Sequence, residues 1–180
     1  RSGTGIVRGY GMSSDREIRE FIKRTHAEVR DRAAPTDAGE ADFRENAFTA
    51  WILEFFEEAG ITSGGEVSHY EGRIERGVAK VNGYAIGEDE DAVSLVVAIY
   101  SDSDEPVTIP PAEVSKAAGQ AARFLEGACG KLNEQIEASA THAEMVRRIA
   151  GLSGRLKSAT VHIVMDGLSS AKEERSLAVD

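Results

Sequence analysis

The groups with reactive chemistry to offer in this chain are four histidines, one cysteine and a surplus of carboxylates. His26, His69, His142 and His162 are far apart, and none has a partner four residues away. That spacing is what brings two imidazoles onto one helix face toward a metal. They read as isolated histidines on solvent or strand faces. Cys129 lies between Ala128 and Gly130 in a helical pattern and reads as a buried structural thiol. A lone cysteine excludes an internal disulfide and a cysteine-built metal site. Glu88-Asp89-Glu90-Asp91 concentrates negative charge but lacks the glycine and distal glutamate of a calcium loop, so it reads as a solvated turn. Gly72, Gly77, Gly83 and Gly87 are spaced through hairpins, not through the strand-to-helix turn of a phosphate loop. No serine sits in a nucleophile elbow.

The elements that must position these groups come from periodicity. Residues 14–29 carry a capping-box spacing, Ser14 to Glu17, then Ile18, Phe21, Ile22, Thr25 and Val29 at helical intervals. A second helix starts near Glu40 or Asp42, with Phe43, Ala47, Phe48, Trp51, Ile52, Phe55 and Phe56 on one face and Gly60 as its stop. Its aromatics make it the expected central core helix. Strands follow at 66–74, 78–86 and 93–100, with the acidic turn 87–91 between the last two. The third, Val-Ser-Leu-Val-Val-Ala-Ile-Tyr, is nearly continuous in apolar residues, as a strand covered on both faces should be. Pro110-Pro111 opens a long helix expected to run to about Glu137. Residues 141–156 give another, with Met145, Ile149 and Leu152 inward, and 159–165 give a last strand.

Length and composition fit one such domain: 180 residues, 41% hydrophobic and 29% charged. Residues 1–11 lack periodicity and read as an expression scar, with Met12 as the natural start. Residues 12–170 read as one α/β domain, and 171–180 as a linker or tail toward a C-terminal domain. No apolar run approaches the ~18 residues needed to cross a bilayer, so a soluble, cytoplasmic protein is expected. The net charge of −10 repels phosphate backbones and anionic membranes, which disfavours nucleic acid as a partner.

Helix, three strands, helix, strand is the order of a restriction-endonuclease-like αβββαβ core. The expected fold is that core with an extra N-terminal helix, a two-helix crossover and a mixed four-stranded sheet. Its chemistry needs an acid on the second strand, another on the third, and a lysine two residues after the latter, together holding a divalent metal and orienting water. Here the second strand offers Asn82, and the third offers Ala98 and Tyr100. Glu45 and Glu54 on the second helix remain as candidates beside Asn82, and a single carboxylate does not hold Mg²⁺ against water.

Three segments together resemble the N-terminal region of AIPR proteins, named for abortive infection and phage resistance: Glu45-Asn46-Ala47-Phe48-Thr49-Ala50-Trp51-Ile52-Leu53-Glu54, Lys80-Val81-Asn82-Gly83-Tyr84-Ala85-Ile86, and Val161-His162-Ile163-Val164-Met165-Asp166-Gly167-Leu168-Ser169. The resemblance implies a bacterial antiphage module ahead of a larger C-terminal region. The reading is a nuclease-like module without intrinsic catalysis, and hence without cofactor, serving recognition or assembly. Its expected partners are its own C-terminal region or further copies of itself. The alternative is a Mg²⁺- or Mn²⁺-dependent nuclease with relocated acids, Glu45 or Glu54 with Asp91 or Asp102.

Overall fold

A computed structural model describes residues 15–33, 40–103 and 106–169. The leader, Met12, the Ser14 cap and the polar tail after Ser169 lie outside these residues. So do the side chains of Ile18 and Phe43.

The chain runs α1 (Asp15–Arg32), α2 (Glu40–Glu58), β1 (Glu66–Ile74), β2 (Gly77–Ile86), β3 (Ala92–Ile99), β4 (Thr108–Ile109), α3 (Pro111–Cys129), α4 (Leu132–Gln135), α5 (Ala143–Leu152), β5 (Ser158–Met165) and β6 (Leu168–Ser169). The main sheet has the order β1-β2-β3-β5. The first three strands form an antiparallel meander, and β5 lies parallel to β3 along its whole length. This is the mixed four-stranded sheet expected from the element order. The short parallel pair β4–β6 was not expected, because two-residue strands leave no periodic signal.

The uncharged β3 is covered on both faces, as its sequence requires. Val93, Leu95 and Val97 join a core with Phe124, Leu125, Met145, Val146 and Ile149 from α3 and α5. Val96 and Ala98 point the other way, to Val29 of α1 and Phe48 and Leu53 of α2. The strand's period of two thus divides one apolar run between two helical layers. In α3 the alanines 117, 121 and 128 are buried beside Phe124, so small side chains bring that helix close to the sheet.

Two expectations need correction. The central core helix is α3, not α2. Phe48 is buried, but Phe55 is 49% exposed, and Trp51, Ile52 and Phe56 are half-buried. The cause is a notch in β2. A Cβ on Gly83 would lie 3.1 Å from Thr49 Cγ2, from Leu53 Cδ1 and from the Glu66 carbonyl oxygen. α2 therefore presents Thr49 and Leu53 to the sheet, and its aromatic flank turns toward α1, where Trp51 meets Phe21 at 5.8 Å. The second correction concerns the helix expected to reach Glu137. It ends at Cys129, because Gly130 adopts non-helical angles (φ −103°, ψ −124°), and α4 adds a single turn.

Buried Tyr84 donates its hydroxyl to Glu66 Oε2 at 2.9 Å and accepts from Arg148 Nη1 at 3.0 Å. Burial first, then the Glu66 carboxylate, push the phenol from 10.0 up to about 12. A folded-state pKa above the unfolded one gives stability that is complete below the unfolded value and lost as pH rises through the folded value. Stability should therefore fall between pH 10 and about 12. The fall should be shallower in Tyr84→Phe, measured by urea unfolding at stepped pH.

Candidate functional site

The polar residues that could do chemistry gather at one end of the sheet. This is the end where the parallel strands β3 and β5 finish and the antiparallel β2 begins. It is also where open α/β sheets present ligand sites.

Asn82 is fully buried at this end. The β2–β3 ladder runs from Ile86 back only to Gly83, opposite Val96. Beyond that point the Asn82 side chain takes over. Its Oδ1 accepts the Ala98 backbone N–H at 2.9 Å, and its Nδ2 lies 3.3 Å from His69 Nδ1 on β1. The amide thus supplies a sheet hydrogen bond that the backbone does not make, which is a structural occupation for a polar side chain. Asn82→Ala would leave the Ala98 N–H buried without its acceptor, and should lower unfolding stability by about 1–3 kcal/mol in chemical denaturation.

Next to it, Lys80 Nζ donates to Glu45 Oε1 at 2.7 Å, with both side chains mostly buried (17% and 21% exposed). One residue earlier on α2, Arg44 donates to Asp102, which also accepts from the Tyr100 hydroxyl at 3.2 Å and lies 3.9 Å from Arg30 Nε. Tyr100 stacks on Phe48 at 5.1 Å. Burial, and then the negative charge of Asp102, push its phenol well up.

The centre of this region is Asp166, immediately after β5 and 2% exposed. Its carboxylate accepts the Ser101 N–H at 2.9 Å, the Ser101 hydroxyl at 2.9 Å and the Asp102 N–H at 3.0 Å. The His26 Nε2 of α1 lies 3.0 Å from the same Oδ2. One buried carboxylate therefore ties α1, the loop after β3 and the end of β5 together. Its hydrogen bonds also hold Asp102 at a left-handed φ of 51°, which a non-glycine residue adopts only when its surroundings fix it. Ser101 and His26 both turn to Asp166 and are not bonded to one another, so this is not the serine–histidine relay of a nucleophilic hydrolase.

The residues singled out in sequence are only partly brought together. Glu45 and Asn82 lie at this end of the sheet. Glu54 does not take part; it accepts from Arg32 at 2.7 Å on the exposed side of α2. Asp91 precedes β3, where it pairs with Lys157 at 2.7 Å, while Asp102 follows the strand. An eight-residue strand separates those two acids by about 25 Å. Asp91 is thus remote from Glu45, whose neighbour Arg44 bonds Asp102. The histidines are less isolated than their spacing suggested. His69 faces Asn82, and burial first, then the nearby His69, hold the His142 imidazole below the usual range. Sequence reasoning missed Asp166, His26 and Lys80. The adjacent Asp166-Gly167 was a signal, since an acid at a strand end before glycine is free to cap a neighbouring loop.

The residues present do not fit a nuclease metal. The second-strand position is an amide spent on the ladder, the third-strand positions carry Ala98 and Tyr100, and Glu45 is neutralised by Lys80. Among the described residues, no three histidine, cysteine, aspartate or glutamate side chains are placed to hold a metal ion. Nor is any helix among them long and apolar enough to cross a membrane. Residues 48–180 match the family described as the abortive infection phage resistance protein N-terminal domain. No curated protein and no solved structure matches the chain.

Proposed function

We infer, for a chain that belongs to the abortive infection phage resistance protein N-terminal domain family, that this phage-resistance module is a nuclease-like scaffold that does not itself cleave. It serves recognition or assembly in a bacterial, cytoplasmic defence protein, and its partners are its own C-terminal region or further copies of itself. The restriction-endonuclease-like assignment draws on the αβββαβ order and the meander-plus-parallel sheet. Such folds host many functions, so the weight falls on the site.

The observation that carries this reading is Asn82. Where the catalytic core wants a metal-binding carboxylate, this chain places an amide whose oxygen is already engaged by the Ala98 N–H. Together with the −10 net charge, this favours a protein partner over a phosphate backbone. The test is a cleavage assay of the chain on plasmid DNA and on RNA, with and without Mg²⁺ or Mn²⁺. No cleavage above a metal-free control is expected. Metal-dependent cleavage that disappears in Glu45→Gln would overturn the reading and support the relocated-acid nuclease instead.

A further inference from the structure

α1 is fastened to the rest of the molecule unevenly. The larger core, built on α3 and α5, contains none of its residues. The smaller core contains Val29, beside Phe48, Val96, Ala98 and Val164. Ile22 is buried as well, but Phe21 is exposed where it meets Trp51. Buried Thr25 spends its hydroxyl on the Phe21 carbonyl of its own helix, at 2.9 Å. Arg32 with Glu54 and Arg30 with Asp102 are ion pairs near the surface, and pairs of that kind contribute little. Among the described residues, the buried polar contact between α1 and the rest of the chain is His26. It is 4% exposed, donates from Nε2 to Asp166 Oδ2 at 3.0 Å, and stands edge-on to Tyr100 with ring centres 5.8 Å apart.

The two sides of that contact do not depend on it equally. Without His26, Asp166 still accepts the Ser101 N–H, the Ser101 hydroxyl and the Asp102 N–H, so the loop after β3 stays capped. His26 exchanges Asp166 for water once the helix lifts. α1 can therefore leave without costing the sheet a hydrogen bond of its own. It also lies ahead of the stretch that matches the family, residues 48–180, whereas Phe48, Tyr100, Ser101 and Asp166 lie within it.

We propose that α1 is a releasable strap over the polar end of the sheet. It lifts as a unit when the His26–Asp166 bond breaks and Val29 withdraws, while the sheet and the other helices stay folded. Local opening draws on elements with few buried apolar side chains, and the described side chains of this 18-residue helix offer Ile22 and Val29. Lifting uncovers Asp166, the Ser101 hydroxyl and Tyr100 where the parallel strands finish, the end at which open α/β sheets present ligand sites. The strapped form is thus the covered form of that end, and α1 is its autoinhibitory contact. This goes beyond the non-cleaving assignment, and cleavage by the chain would leave it standing.

Hydrogen exchange of the full chain, resolved by residue, is the test. In wild type, amides at 22–29 should be at least about tenfold less protected than those at 93–97, which lie in the middle strand pairings of the sheet. His26→Ala should accelerate exchange at 22–29 about tenfold or more and leave 93–97 unchanged, since a hydrogen bond to a charged group is lost from the closed form alone. Arg32→Ala should change either set by less than about fivefold. Trp51 is the chain's one tryptophan and sits against α1, so its quenching by acrylamide should rise in His26→Ala. Equal protection of the two sets in wild type would overturn the proposal, as would a His26→Ala that accelerates both alike. Should that variant fail to fold, wild type in rising urea decides: quenching of Trp51 must increase before 93–97 lose protection, and a simultaneous change overturns the strap.

Discussion

Asp166→Ala is expected to cost about 3–5 kcal/mol of unfolding free energy, the range for removing one member of a buried charged or hydrogen-bonded network. The carboxylate, 2% exposed, satisfies two backbone N–H groups, a serine hydroxyl and the buried His26. Alanine leaves all of them without their acceptor and opens a hole at the meeting point of α1, the loop after β3 and the end of β5. Against a typical total of about 5–15 kcal/mol, that is enough to bring the fold close to its limit. Asp166→Asn should lose less, because it keeps one oxygen of the same shape. Urea unfolding of the two variants checks both the size and the order. Losses below about 1 kcal/mol in both would show that the hub is dispensable.

Gly167→Val should be the next most damaging change, at about 3 kcal/mol, the upper part of the overpacking range. A Cβ on Gly167 would collide with the Val107 carbonyl oxygen and lie 2.9 Å from Ile109 Cγ1. That oxygen also accepts the Leu168 N–H at 2.8 Å, so the backbone cannot retreat without breaking the β4–β6 pair. Ile109, only 3% exposed, has no room to yield. Proteolysis of the folded chain gives a second readout, because a separated β4–β6 pair should open the loop after β3 to cleavage sooner than in wild type. An unchanged denaturation midpoint would mean that the β4–β6 contact carries little of the stability.

These two neighbouring residues also mark where the sequence stops being readable. The core of the sheet was legible. A nearly continuous apolar run predicted a doubly covered β3, and the spacing of Met145, Ile149 and Leu152 predicted the buried side of α5, all three nearly inaccessible. The turn between β2 and β3 was legible from its acids; Glu90 there adopts a left-handed φ of 52°. Local periodicity decides such features, because their energy comes from neighbours a few residues away. The site was not legible in this way. His26 and Asp166 are 140 positions apart, and Lys80 and Glu45 are 35 apart, so no local pattern links either pair. Asn82 was singled out in the sequence for standing where the nuclease pattern wants a carboxylate. What the sequence did not reveal is why an amide suits the place: the β2–β3 ladder stops at Gly83, and the side chain continues it to Ala98. The misjudged weight of α2 has the same origin. Its aromatics suggested a central helix, but a glycine on β2, distant in sequence, decides which side of the helix meets the sheet.

The central claim is the proposal made above, that the polar end of this sheet serves internal cohesion and does not hold a divalent metal. The most direct measurement is a Mn²⁺ titration of the chain followed by electron paramagnetic resonance of the free aquo ion, repeated on Glu45→Gln and Asp102→Asn. The claim predicts that any uptake by this acidic surface is weak and the same in all three proteins. Stoichiometric uptake by the unaltered chain that is abolished in either variant would contradict it.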